Sequence, residues 1–231
     1  MNWFIVISLI QNVAILLSFT LLYDYVWLKS TQKQSFFKKI YVGAIIGLIT
    51  VILMLTSGTL VPGVVFDTRS VVLSISGLFF GEIPTLVAIF MAALYRIYLG
   101  GGGVYMGVAV IITAGIIGTM WRHFRPTWRD RKFLKELLLM GTLVHVVMLG
   151  CTLLLPSDTI ISTIESIVVP LLIIYIPANV LIGWFMVTHE INHQNRKANE
   201  RLVESERRFT ELMNNVHLLS VIVDNNTNIT F

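Results

Sequence analysis

Hydrophobic positions in this chain come in long blocks, and polar or basic stretches separate the blocks. Blocks at 3–28, 40–61, 104–121, 133–155 and 167–188 approach or exceed the ~20 residues that cross a bilayer as a helix. A further apolar stretch, 70–99, is interrupted at Gly81-Glu82-Ile83-Pro84. Glycine weakens a helix and proline disfavours helix at the residue before it. The pattern predicts an all-α polytopic membrane protein with about six spanning segments, one a broken-helix hairpin.

Charge sets the predicted orientation. Of 17 Lys and Arg, all but Arg69 and Arg96 lie at 29–39, at 121–135 or after 188. Basic loops stay in the cytoplasm, which places those three stretches inside. The N-terminus and a 156–166 loop carrying Asp158 and Glu165 are then outside. Under this topology the stretch 70–99 leaves and returns on one face. Thirty residues are too few for two full crossings plus a turn. Two short helices, 70–81 and 84–98, are expected to dip in and return, with Gly81, Glu82 and Pro84 at the break. Glu82 would sit deep in the membrane at the tip, and Asp24 at the inner end of the first span.

Composition agrees. The 231 residues are 55% hydrophobic and 13% charged, and mean hydropathy is +0.79. The net charge of +4 is spread over the predicted cytoplasmic loops, so no nucleic-acid partner is expected. Met1-Asn2-Trp3 lacks a basic n-region, and the first block reads as a retained span. The single cysteine, Cys151, allows no intrachain disulfide and has no base beside it in sequence. Gly43-x3-Gly47, Gly77-x3-Gly81 and Gly103-x3-Gly107 have the spacing of close helix contacts.

After Thr188 the chain turns polar and helix-prone. Ile191, Ala198, Ser205 and Leu212 alternate with Asn195, Leu202, Phe209 and Val216 at heptad spacing, either a homodimeric coiled-coil seam or an ordinary amphipathic linker. The run LLSVIVDNNTNITF then reads as a strand, a turn and the start of a second strand. The expected organisation is a transmembrane domain at 1–188, a cytoplasmic coiled-coil-like helix at 189–212 and a truncated domain start at 213–231.

Arg69 opens the first half-helix of the hairpin and Arg96 closes the second, both at the predicted outer face. Gly100-Gly101-Gly102-Gly103 follows, directly before another helix. Glycines let backbone approach a ligand, and a helix N-terminus favours an anion. Guanidiniums add forked donors matched to carboxylate or phosphate. Arg69, Arg96, Asp67, Gly100, Gly101, Gly102, Gly103 and Tyr105 are therefore candidate ligand-binding residues, with Tyr95 and Tyr98 as further walls. The expected ligand is a small anion or carboxylate, with no cofactor and no metal. The competing reading has Arg96 snorkelling to the interface, Arg69 paired with Asp67 and the glycines as a flexible loop.

Other chemistry is sparser. His189-Glu190-Ile191-Asn192-His193 matches a zinc-protease pattern without an obvious third ligand. His145, in mid-span, is expected to make an interhelical hydrogen bond. No phosphate-binding loop, nucleophile elbow or complete kinase or cyclase motif is present in the sequence.

The stretch VVFDTRSVVLSISGLFFGEIPTLVAIFMAALYRIYLGGGGVYMGVAVIITAGIIGTMWR resembles the LytS/YhcK-type multi-transmembrane receptor region of bacterial sensor proteins. The matching features are Asp67-x-Arg69, Phe80-Gly81-x-x-Pro84 and Arg96-x3-Gly100, continued by Gly107, Gly115 and Gly118. The family pattern often has Asn in place of Asp67. The resemblance, over about 40–185, implies a membrane-embedded, non-catalytic sensor of small molecules or envelope state in the bacterial plasma membrane. Its cytoplasmic output would be a histidine kinase or a diguanylate cyclase. The core also looks similar to substrate-binding subunits of vitamin transporters, which makes a solute-capturing transport subunit the alternative. The tail SERRFTELMNNVHLLSVIVDNNTNITF resembles the opening of a PAS domain.

Overall fold

The computed structural model describes residues 18–21, 23, 35–56, 58–61, 64–129, 132–215, 222–223 and 229–230. The rest of the first predicted span, Asp24 included, lies outside them. The described chain is an all-α polytopic membrane protein with two short ribbons. Its helices are α1 (Phe36–Leu55), α2 (Arg69–Phe80), α3 (Glu82–Leu99), α4 (Val104–Phe124), α5 (Phe133–Cys151), α6 (Ser157–Pro170) and α7 (Ile176–Asn215). Strands β1 (Gly58–Val61) and β2 (Val64–Phe66) pair antiparallel, as do β3 (Ile222–Val223) and β4 (Ile229–Thr230). Five helical stretches among the described residues are long and apolar enough to cross a membrane. Two compact units divide at Glu190/Ile191.

α2 is the central element of the first unit. All twelve of its residues are buried, as expected of a helix apolar on every side. Its serines are small enough for this setting. Ser74 donates to the Val71 carbonyl at 3.1 Å, and Ser76 and Thr85 share a 2.9 Å hydrogen bond. α3 instead turns Leu86, Phe90 and Leu94 outward, an i, i+4 stripe suited to lipid.

The hairpin forms, but its break is tighter and its reach longer than expected. Gly81 alone separates α2 from α3, with φ 86° and ψ −165°, a conformation open essentially to glycine. Pro84 falls in the first turn of α3, where a missing N–H costs nothing, so the helix begins at Glu82 and not at 84. α3 has 18 residues, which at 1.5 Å each is about 27 Å, enough to cross. Glu82 is exposed. Arg122, at the far end of α4, donates from Nη1 to the Leu78 and Phe79 carbonyls at 3.3 and 2.8 Å and caps α2. The tip therefore lies level with the basic end of α4, not at membrane mid-depth.

Three other expectations shift. The second span begins at Phe36 and ends at Leu55, and the residues that follow form the β1–β2 ribbon. The expected 156–166 loop is helical from Ser157, because Pro156 starts a helix readily and Asp158 favours its N-terminus. Pro177 removes one backbone donor, and the preceding Leu171–Tyr175 adopts a π turn before α7 begins.

Glycines set the helix approach. A Cβ on Gly43 would lie 2.6 Å from the Pro84 carbonyl oxygen, and one on Gly77 2.5 Å from the Thr119 nitrogen. A Cβ on Gly118 would strike the Ser74 carbonyl oxygen, whereas one on Gly150 meets nothing within 4 Å. Gly118→Ala is expected to destabilise the detergent-purified protein by about 1–3 kcal/mol in thermal unfolding, with Gly150→Ala neutral or slightly stabilising. Equal effects would show that α2 and α4 are not in backbone contact.

Candidate ligand site

The sequence Asp67-Thr68-Arg69 begins α2 with a local turn. The Arg69 N–H donates to Asp67 Oδ1 at 2.8 Å, and the Arg69 guanidinium pairs with Asp67 Oδ2 at 3.5 Å. This satisfies a helix-start donor and draws the guanidinium back toward the same carboxylate. Burial pushes the Asp67 carboxyl above the ordinary value, against the downward pull of Arg69 and then Arg96.

Arg96 enters from α3. It is 1% exposed, and its Nη1 donates to the Gly100 carbonyl at 2.8 Å. Gly100 has φ 65°, which turns its carbonyl back toward the helix end. The Arg96 stem occupies the space a Cβ on Gly107 would need, so the guanidinium lies along the first turn of α4. Arg96 thus folds inward and does not snorkel. The pairing of Arg69 with Asp67, from the competing reading, does hold.

The hairpin geometry explains the meeting. Arg69 and Arg96 lie 13 and 14 residues from Glu82 along two antiparallel helices, about 20 Å from the tip by helix rise. The three charged residues, Asp67, Arg69 and Arg96, are 3%, 6% and 1% exposed. Two cations share one carboxylate, and among the described residues no other carboxylate bears on Arg96. Arg96 Nε, Thr68 Oγ1 and Ser70 Oγ have no hydrogen-bond partner among the described residues. Among the described residues the site carries one excess positive charge and open donors on Arg96, Thr68 and Ser70, an arrangement that favours an anion.

The predicted set is only partly brought together. Asp67, Arg69, Arg96 and Gly100 meet, and Gly103 is buried at the start of α4. Gly101 and Gly102 are exposed. Tyr105 is 78% exposed and Tyr98 84%, so neither walls the site. Both follow the outer face of their helices, a register that glycine-rich flanks left open.

Sequence reasoning missed a polar band beside it. Buried Tyr175 is within electrostatic reach of Asp67 and Arg69. Asn179, one turn on, donates to Ser74 Oγ at 2.9 Å. His145 meets the Tyr175 ring edge-on with centroids 5.7 Å apart, while its Nδ1 lies 2.6 Å from the Gly141 carbonyl of its own helix. Its hydrogen bond is intrahelical, not interhelical. Asn179 within an apolar span was the available signal, since a buried amide needs partners.

The His189-Glu190-x-x-His193 pattern acquires no metal geometry. Among the described residues no group of three or more His, Cys, Asp or Glu could hold an ion. Cys151 is buried, with a free thiol.

Fold and charge placement define a multi-pass membrane protein with a buried charged cluster inside its helix bundle. Residues 20–188 match the model of the family described as 5TMR of 5TMR-LYT, and the chain belongs to that family of membrane sensor regions of signalling proteins. No curated protein and no solved structure matches the chain significantly.

Charge balance yields a test. Asp67→Asn leaves two buried guanidiniums without their carboxylate and is expected to cost about 3–5 kcal/mol of stability in ligand-free protein. Arg96→Met removes the excess charge at similar volume and is expected to be neutral or stabilising. A large loss in Arg96→Met would contradict an excess of positive charge.

Proposed function

We propose that the chain is the sensor region of a bacterial signal-transduction protein, which binds a small anion between Arg69 and Arg96 from the extracytoplasmic side. The observation that carries this reading is the buried trio of two guanidiniums and one carboxylate. A carboxylate or phosphate would neutralise the excess charge and accept from the open Arg96 Nε. The expected orientation, with the C-terminus cytoplasmic in the plasma membrane, puts the recess on the outer side and the basic end of α4 inside.

The rest of the chain fits an output connection. α7 runs to Asn215, well past the apolar span. On it Ile191, Leu202, Phe209 and Leu212 are 44–64% exposed. A homodimeric seam through 189–212 would cover them. The β3–β4 ribbon is consistent with the opening of a PAS domain at 213–231. The output module would be a histidine kinase or a diguanylate cyclase. A transport subunit would have no use for a long polar helix of this kind.

Thermal-shift measurements on detergent-purified protein, with a panel of small carboxylates and inorganic phosphate, test the ligand. At least one anion is expected to raise Tm, and Arg96→Ala to abolish that shift while still inserting. At 100 times Kd the stabilisation would be about 2.7 kcal/mol. An anion-dependent shift that survives in Arg96→Ala would place binding elsewhere.

A further inference from the structure

Glu190, left over from the protease-like pattern, has a different role at the opposite end of the bundle. Its carboxylate is 14% exposed. Its Oε2 accepts from the Tyr23 hydroxyl at 3.0 Å and forms an ion pair with Arg129, whose Nε lies 3.2 Å away. One oxygen thus joins three segments: the end of the first apolar block, the α4–α5 connection and α7. Hydrogen bonds to an ionised group are the stronger kind.

The same partners hold the end of α2. The Tyr23 ring meets Phe79 and Phe80 edge-on at 5.3 and 5.2 Å. Phe79 packs on Trp128 at 5.0 Å, and the Arg129 guanidinium lies 4.8 Å from the Trp128 ring centre. Arg122, which caps α2, stands within electrostatic reach of Tyr23, Glu190 and Arg129. The helix that opens with Arg69 therefore ends against the two residues, Tyr23 and Arg129, that hold Glu190.

We propose that Tyr23, Arg129 and Glu190 form a clasp that fixes α7 to the inner end of α2, making Glu190 the positioning residue through which movement of α2 reaches the output helix. α2 is buried on all sides, about 18 Å long by helix rise, and suited to move as a rod. A ligand that favours one of two α2 positions would then tighten or release the clasp. The purpose assigned to the clasp rests on the sensor reading; its existence does not.

Hydrogen–deuterium exchange of the intact chain in lipid nanodiscs, without added anion, tests it. Glu190→Gln and Arg129→Gln are each expected to speed exchange of the 187–195 amides about tenfold. The double variant should be no faster than the faster single one, and Arg129→Lys should stay near wild type. Arg122→Gln should speed exchange both at 77–81 and at 187–195. Unchanged exchange at 187–195 in Glu190→Gln, or an Arg122→Gln effect confined to 77–81, would overturn the proposal. Because no anion is present, failure of the ligand assignment would leave this result intact, and the reverse also holds.

Discussion

Burying two guanidiniums and one carboxylate inside an apolar bundle is the constraint on which the rest depends. Charges at that depth are costly unless paired, and here the pairing is one carboxylate short. The fold meets part of the cost with local geometry. The Asp67 turn serves Arg69, and the Gly100 carbonyl serves Arg96. A purely structural arrangement would more simply use apolar residues, and the retained charge is what the proposed anion ligand rests on.

α2 connects this constraint to the other end of the molecule. One terminus carries Arg69, and the other is capped by Arg122 and packed against Tyr23 and Trp128. The glycines of α1 and α4 bring neighbouring helices close to the hairpin, so its two helices sit in a tight sleeve. Packed interfaces of this kind have discrete arrangements and do not deform smoothly. On the proposed sensor reading, that property would let a small change at the buried arginines become a step at a helix exit.

Much of this was legible in the residues. Apolar block lengths located the helices, and the isolation of Arg69 and Arg96 from the basic loops singled out the pair. Depth was less legible. Pro84 looked like a break because proline breaks helices, but in a first turn it is harmless, and the true hinge is Gly81 alone. Glu82 therefore moved from a buried tip to an exposed one. Tyr105 was chosen for its proximity in sequence to the glycines, yet helix phase turned it outward. Tyr175, Asn179 and Glu190 were missed as site or clasp residues because their partners lie on helices distant in sequence, and spacing along one segment carries no record of such meetings.

The central claim is that α3 crosses the membrane completely, setting the buried arginine cluster toward one end and the proposed Tyr23–Arg129–Glu190 clasp at the other. Glu82 and Gly102 are both exposed and mark the two ends. Single cysteines placed there on a Cys151→Ala background, probed with a membrane-impermeant thiol reagent on intact cells, measure it directly. Position 102 is predicted to label at once and position 82 only after permeabilisation. Labelling of both from the same side would contradict the account.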